Sequence, residues 1–247
     1  MKREAQAVVL LLIGAAVVRA GSTDLYLRYV KAGLRPLLLT AGIVLIVVAI
    51  ATVWYELRRP RTPQGNQPEP EHQDPDSPRG HTHREPRISW LLLLPLFALV
   101  LVAPPAPGSY SAMHAGTALQ HPGDFPALPA SDPLRLGVTD YAGRAAYGHG
   151  RSLEDRRIKI TGFVALDRGG DPYLTRMVRS CCAADAQPVK IGLSGKMPPA
   201  MPADSWLEVT GTYTRKRMKD PVNGGAIPFF KVSQARSVPA PRDPYEN

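Results

Sequence analysis

The chain has 247 residues, 44% of them hydrophobic, and a formal net charge of +9. With only two cysteines, it lacks the disulfide framework that holds many small secreted domains together. The basic residues are spread along the chain, and the densest group reads as one solvated hairpin, so the charge does not indicate a nucleic-acid partner. That group is Arg215, Lys216, Arg217 and Lys219.

Three apolar runs in the N-terminal part of the chain are predicted to cross the lipid bilayer. Two lie within residues 1–56 and the third covers residues 88–104. A spanning helix needs about 20 residues, and residues 37–55 meet this length, with Trp54 and Tyr55 as interfacial aromatic residues. The sequence therefore predicts a multi-pass α-helical anchor of three spans.

The first run, residues 5–20, also fits a cleaved signal peptide. Lys2 and Arg3 precede its apolar core, and the small residues Ala20, Gly21 and Ser22 follow it. A second apolar run begins after a loop of about 16 residues, and this favours two retained helices in a hairpin.

The distribution of Lys and Arg predicts the orientation in the membrane. Two lie at the N-terminus, four in or beside the first loop and six in residues 58–87, whereas the third run is followed by none before Arg135. Because positive charge accumulates on the cytoplasmic side, the N-terminus and residues 57–87 are predicted to be cytoplasmic. Everything after residue 104 is then extracytoplasmic, and the protein is placed in the plasma membrane.

The two segments that flank the third run are rich in proline and poor in large apolar residues. Residues 57–87 are predicted to be a disordered cytoplasmic linker, in which three histidines are either solvated or loosely collect a divalent metal. Those histidines are His72, His81 and His83. Residues 105–136 are predicted to be an extracytoplasmic stalk.

Residues 137–247 are predicted to form an all-β domain after a short helix at residues 139–147. Five stretches rich in β-branched and aromatic residues are separated by turn residues. They are residues 157–166, 172–180, 188–194, 205–214 and 227–236. Gly162 and Gly211 lie inside two of these strands, where glycine typically marks a bulge or bend. A small OB-like barrel is the predicted fold.

The main chemical signal is the thiol segment, RSCCAADAQP, at residues 179–188. Cys181, Cys182 and Asp185 are candidate ligands, because thiolates favour zinc or copper(I) and a carboxylate can complete the shell. A fourth ligand would come from His149, the linker or a partner protein. Alternatively, the adjacent thiols cycle through a labile disulfide, or they pack at a strand end while Asp185 caps a short helix.

No sequence motif argues for catalysis. The chain has no phosphate-binding glycine loop, no nucleophile elbow and no zinc-protease motif. We therefore expect that this protein is not an enzyme.

Several motifs together resemble the bacterial YcgQ-like family of permease subunits. They are the apolar runs with a histidine-containing linker, the block RISWLLLLPLFALVLVAPPAPGSYS, the GFV of residues 162–164, the thiol segment and PRDPYE at residues 241–246. The resemblance implies N-terminal spans, a C-terminal β domain and a multi-spanning permease as partner.

The expected function is an accessory subunit of a membrane permease complex. The predicted spans contain no internal Asp, Glu, Lys or Arg, so transport would run through the partner permease. The substrate would be a divalent metal such as zinc, captured by Cys181, Cys182 and Asp185. A membrane-tethered thiol redox protein and a structural envelope protein are the alternatives.

Overall fold

The computed structural model describes residues 3–58, 108–121 and 123–246. Among these residues, the chain forms two compact units. The first contains residues 3–22 and 36–58, and the second contains Thr23–Arg35 and residues 108–246. The predicted third span at 88–104 and nearly all of the predicted linker lie outside the described residues.

Two helices make up the first unit: α1 (Arg3–Ser22) and α2 (Arg35–Arg58). One helical stretch of the described residues, Ala32–Arg58, is long and apolar enough to cross a membrane. The apolar helix Gln6–Ser22 is shorter than that. The described residues thus contain one helix that could anchor the chain in a membrane, and they include only the first two of the three predicted spans.

The two helices approach each other closely at a pair of glycines. A Cβ atom on Gly14 would lie 3.0 Å from the carbonyl oxygen of Gly42 and 2.8 Å from Ile46. A Cβ on Gly42 would lie 2.8 Å from Val18. Small residues of this kind let helix backbones pack tightly where lipid, not water, surrounds them. Large apolar side chains of α2 are exposed, among them Leu37, Ile43, Val47 and Trp54.

The second unit is built on a seven-stranded sheet whose five long strands close into a barrel. The strands are β1 (Leu134–Leu136), β2 (Ile158–Leu166), β3 (Pro172–Val178), β4 (Gln187–Gly195), β5 (Trp206–Lys219), β6 (Ala226–Ser237) and β7 (Tyr245–Glu246). Around the barrel the order is β2, β3, β4, β6, β5 and back to β2. The β4–β6 pair is parallel and the other four pairs of the barrel are antiparallel. The predicted five-stranded barrel is confirmed.

Glycines allow the strands to bend where neighbouring backbones come close. A Cβ on Gly211 would lie 2.0 Å from the carbonyl oxygen of Lys231, and the β5–β6 register shifts between Thr210 and Gly211. A Cβ on Gly162 would lie 2.8 Å from the carbonyl oxygen of Thr175. The bend predicted at Gly211 is therefore a bulge, since only a residue without a side chain fits there.

Two short helices cover the barrel: α3 (Ser109–His114) and α4 (Val138–Ala146). The predicted helix at 139–147 corresponds to α4, whose buried Tyr141 donates a hydrogen bond to the carbonyl oxygen of Phe229 at 2.7 Å. In α3, Ala112 is fully buried against the barrel.

Residues 108–136 belong to the barrel unit and do not form the separate stalk that the sequence predicts. Leu134 is fully buried in the main core. The buried Lys190 of β4 donates to the carbonyl oxygen of Ala115 at 2.7 Å. Composition does not reveal this attachment, because it depends on scattered leucines and on cations from distant parts of the chain, such as Lys190 and Arg144.

Candidate functional site

The thiol segment connects β3 to β4 and contains a single 3-10 turn, Ala183–Asp185. Both cysteines are free thiols; Cys181 is exposed and Cys182 is half-buried. One ligand atom from each of Cys181, Cys182 and Asp185 can be chosen so that all lie within 4.8 Å of one another. The three candidate ligands predicted from the sequence are thus together in space.

Asp185 organises the turn through its carboxylate. One oxygen accepts a hydrogen bond from the amide of Ser180 at 3.2 Å, and the other accepts from the amide of Cys181 at 2.9 Å. The hydrogen bond from the Cys181 amide is the main reason that the pKa of Asp185 is lowered. Asp185 ends the 3-10 turn and does not cap its beginning, which differs from the predicted capping role. Each oxygen keeps a second lone pair for another partner.

The protonation of Cys181 follows from the same carboxylate. Its thiol is hydrogen-bonded to Asp185 and to Cys182, and these contacts raise the pKa of Cys181 to about 11. The thiolate is the nucleophile in disulfide exchange, so a thiol held in its protonated form reacts slowly. A metal ion, by contrast, displaces thiol protons when it binds.

The donor set of two sulfurs and one carboxylate suits a soft or borderline cation. In a tetrahedral zinc site, Zn–S bonds of about 2.3 Å place two sulfurs about 3.8 Å apart, which is compatible with the spacing here. The predicted fourth ligand His149 does not join this group among the described residues. His72, His81 and His83 lie outside them. Among the described residues, a metal bound here would therefore have three protein ligands.

The inter-helix loop, Thr23–Arg35, lies against the thiol segment. Val30 and Cys182 form an antiparallel β-bridge. The amide of Lys31 donates to the carbonyl oxygen of Cys181 at 3.0 Å, and the amide of Ala183 donates to the carbonyl oxygen of Tyr29 at 2.7 Å. This pairing joins positions about 150 residues apart in the chain. No local sequence pattern predicted it.

Arg179 fastens the same loop to the end of β3. Its side chain is fully buried, donates to the carbonyl oxygen of Leu27 and forms an ion pair with Asp243 at 3.1 Å. Its guanidinium carbon lies 4.0 Å from the ring centroid of Tyr245, which in turn donates a hydrogen bond to the carbonyl oxygen of Arg28 at 3.3 Å. Sequence reasoning missed Arg179, although it opens the thiol segment.

The DPYE segment, residues 243–246, completes this cluster and ties it to the barrel. Arg176 donates to the carbonyl oxygens of Asp243 at 3.3 Å and Tyr245 at 2.8 Å. The carboxylate of Glu246 accepts the amides of Val138 and Thr139, both at 2.8 Å, at the start of α4. The resemblance singled out both the thiol and DPYE segments, and the structure brings them into contact through Arg179 and Asp243.

Two surface pockets lie away from the thiols. One of about 420 Å³ is lined by residues that include Phe125, Asp140 and Glu246. The other, of about 550 Å³, is lined by residues that include Tyr110 and Trp206. Neither lining includes Cys181, Cys182 or Asp185, so the candidate ligands act at an exposed turn and not in either pocket.

The described residues therefore define a closed five-stranded barrel protein with vicinal cysteines and an apolar N-terminal helix. Residues 144–246 match the model of a family described as DUF1980 C-terminal domain. The matched region contains the whole thiol segment and the DPYE segment, and it supports a relationship with an uncharacterised family. Comparisons with curated proteins and with solved structures gave no match.

Proposed function

We propose that this protein is an accessory subunit of a membrane permease complex, related to the YcgQ-like permease subunits. Its barrel domain captures a divalent metal such as zinc outside the cytoplasm and passes it to the permease. The observation that carries the proposal is the convergence of Cys181, Cys182 and Asp185 on one exposed turn, with ligand atoms within 4.8 Å of one another.

Transfer, and not permanent storage, suits the chemistry of this turn. Structural zinc sites are usually closed by four protein ligands, whereas sites that exchange a ligand keep one position open. The site has three candidate ligands, and Cys181 is exposed. A side chain of a partner protein could therefore reach the metal as a fourth ligand. The metal is therefore a cargo in this proposal.

The proposed location depends on how many times the chain crosses the membrane between the inter-helix loop and the barrel. The inter-helix loop pairs with the thiol segment, so the loop and the barrel lie on the same side of any membrane that α1 and α2 cross. The chain leaves α2 on the opposite side. In this proposal it crosses once more before Gly108, at the apolar run of residues 88–104 for which the sequence predicts the third span. The positive charges of residues 58–87 favour the cytoplasm for the linker, and hence the extracytoplasmic side for the barrel.

The need for a partner follows from the spans and from the barrel. From Pro36 to Tyr55, α2 carries no Asp, Glu, Lys or Arg, the residues that mark ion pathways in membranes. The barrel is proposed to be OB-like, a fold that serves many ligands and so does not itself name one. Conduction is therefore assigned to a multi-spanning partner.

Metal binding by the full-length protein in lipid nanodiscs tests the proposal. We expect one zinc ion per chain by elemental analysis, and its loss in both Cys181→Ser and Cys182→Ser. Ser180→Ala is the matched control, because it changes an exposed side chain in the same turn and leaves the three ligands in place. Wild-type protein that retains no zinc, or purification in mild detergent without any multi-spanning protein, would count against this function.

A thiol redox role is the second candidate, favoured by two adjacent free thiols at the surface. The raised pKa of Cys181 argues against rapid exchange. Differential alkylation with mass spectrometry separates the two functions. A cysteine pair whose oxidation state follows the redox potential of the medium supports the redox role. A silent Cys181→Ser, Cys182→Ser double variant points to a structural envelope protein.

A further inference from the structure

The thiol turn is held from two directions. On one side, the carboxylate of Asp185 accepts the amides of Ser180 and Cys181. On the other side, the inter-helix loop forms hydrogen bonds with the next two backbone groups, the carbonyl of Cys181 and the amide of Ala183. Cys182 lies between these two bonds and forms the bridge to Val30. The backbone of both cysteines is therefore fixed partly by a segment about 150 residues earlier in the chain.

We infer that the inter-helix loop is a structural part of the metal site, so that metal capture by the thiols and docking of the loop stabilise each other. The inference deepens the proposed function and rests on it. Arg179 is the positioning residue of this arrangement and is not itself a proposed ligand. It donates a hydrogen bond to Leu27 of the loop and forms an ion pair with Asp243 of the DPYE segment.

The loop matters for affinity because Asp185 has two tasks. Its oxygens hold the turn through backbone amides and are also the proposed ligands. When a metal binds this carboxylate, two backbone hydrogen bonds still hold the turn in place: Lys31 amide to Cys181 carbonyl, and Ala183 amide to Tyr29 carbonyl. Partners that orient ligands in this way typically change metal affinity about 10- to 100-fold when they are removed.

The coupling is reciprocal by thermodynamic necessity. If a docked loop strengthens metal binding, bound metal must strengthen docking of the loop by the same factor. The loop is the direct connection between α1 and α2. Occupancy of the thiol site is therefore communicated, through backbone hydrogen bonds, to the segment that joins the two helices, where a permease in the same membrane can detect it.

A single substitution breaks one of these bonds and forces the two segments apart at that point, because the proline ring occupies the position of the bonded amide hydrogen. Lys31 has φ −63° and ψ 145°, which proline adopts readily, so Lys31→Pro deletes the amide that donates to Cys181. Lys31→Ala is the matched control, because it removes the same side chain and keeps the amide. Arg179→Gln, compared with Arg176→Gln, tests the contacts of Arg179 with the loop in the same way. Both arginines are buried, and among the described residues Arg176 contacts the barrel and the DPYE segment directly, whereas Arg179 also contacts the loop.

The experiment uses full-length protein in nanodiscs with cadmium as the probe. Thiolate-to-metal absorption gives the Kd, and hydrogen exchange reports on the peptide that covers residues 23–35. We expect about 10-fold weaker cadmium binding for Lys31→Pro and for Arg179→Gln, with less than a 2-fold change for Lys31→Ala. Cadmium should slow exchange of the loop in the wild type but not in the Cys181→Ser, Cys182→Ser variant.

The possible failures are distinguishable. Cadmium that binds without slowing exchange of the loop overturns the coupling and leaves the proposed function standing. Equal affinities for Lys31→Pro and Lys31→Ala, or a wild-type affinity in Arg179→Gln, also overturn it. Wild-type protein that binds neither cadmium nor zinc overturns the proposed function and the coupling together.

Discussion

Lys190 and Asp220 form an ion pair that is almost completely buried on the barrel, 2.9 Å between Nζ and Oδ2. Lys190 also donates to the carbonyl oxygen of Ala115, and Asp220 accepts the amide of Thr117 at 2.8 Å. These three contacts fasten the segment after α3 to β4 and to the residue that follows β5. This buried pair of charges is therefore one of the contacts that join residues 108–121 to the barrel unit, beside the hydrogen bonds of Ser109 and Ala118.

We predict that Lys190→Met destabilises the protein by about 3–5 kcal/mol, because it leaves the Asp220 carboxylate buried without its cation. Urea or thermal unfolding of the barrel measures the effect. Lys231→Met is the control, since Lys231 is exposed on β6, and it should change stability by less than about 0.5 kcal/mol. A loss for Lys190→Met no larger than that of the control would refute the assigned role of the pair.

At the scale of single elements, β5 is held to both neighbouring strands by Glu208. Its carboxylate lies 3.0 Å from Lys159 on β2 and 2.7 Å from Arg236 on β6. Burial alone would raise the pKa of Glu208, but the hydrogen bonds and charges of Lys159 and Arg236 outweigh burial and lower it. The carboxylate is thus stabilised in its ionised form in the folded protein.

This shift predicts a pH-dependent contribution to folding. Because the folded-state pKa is below the ordinary value of 4.5, Glu208 stabilises the fold above about pH 4.5, and the contribution disappears as the pH falls through the lowered pKa. Denaturant unfolding should show that the wild type is more stable than Glu208→Gln at pH 7. The difference in free energy of unfolding between the two proteins should be smaller at pH 3. A gap that stays constant or widens on acidification would contradict this assignment.

Secondary structure was predictable where the signal is local and long enough. The five barrel strands and α4 lie within a few residues of their predicted positions, because β-branched and aromatic runs between turn residues specify them. The strands β1 and β7, with three and two residues, were not predicted. Segments this short have no pattern of their own and exist through pairing with β2 and β3.

At the scale of the whole molecule, the pairing of the inter-helix loop with the thiol segment makes a prediction about topology. In a Cys181→Ser, Cys182→Ser background, a cysteine at Gly123 should react with a membrane-impermeant maleimide in intact cells. A cysteine at Gln73 should react only after lysis, because the linker is proposed to be cytoplasmic. Gly123 suits the test since a Cβ there meets nothing within 4 Å. Labelling of both positions from the same side would exclude the three-span arrangement.

The sequence by itself determined the local features of this protein: the apolar helix α2, the barrel strands, the bend at Gly211 and the identity of the three candidate ligands. Each is encoded by neighbouring residues, through hydrophobic periodicity, glycine conformation or thiol chemistry. Only the tertiary structure brought Lys31 and Asp243 to the thiol segment, and only it joined residues 108–136 to the barrel. Those contacts connect distant parts of the chain through backbone amides and buried charges, which carry no signature in a linear sequence.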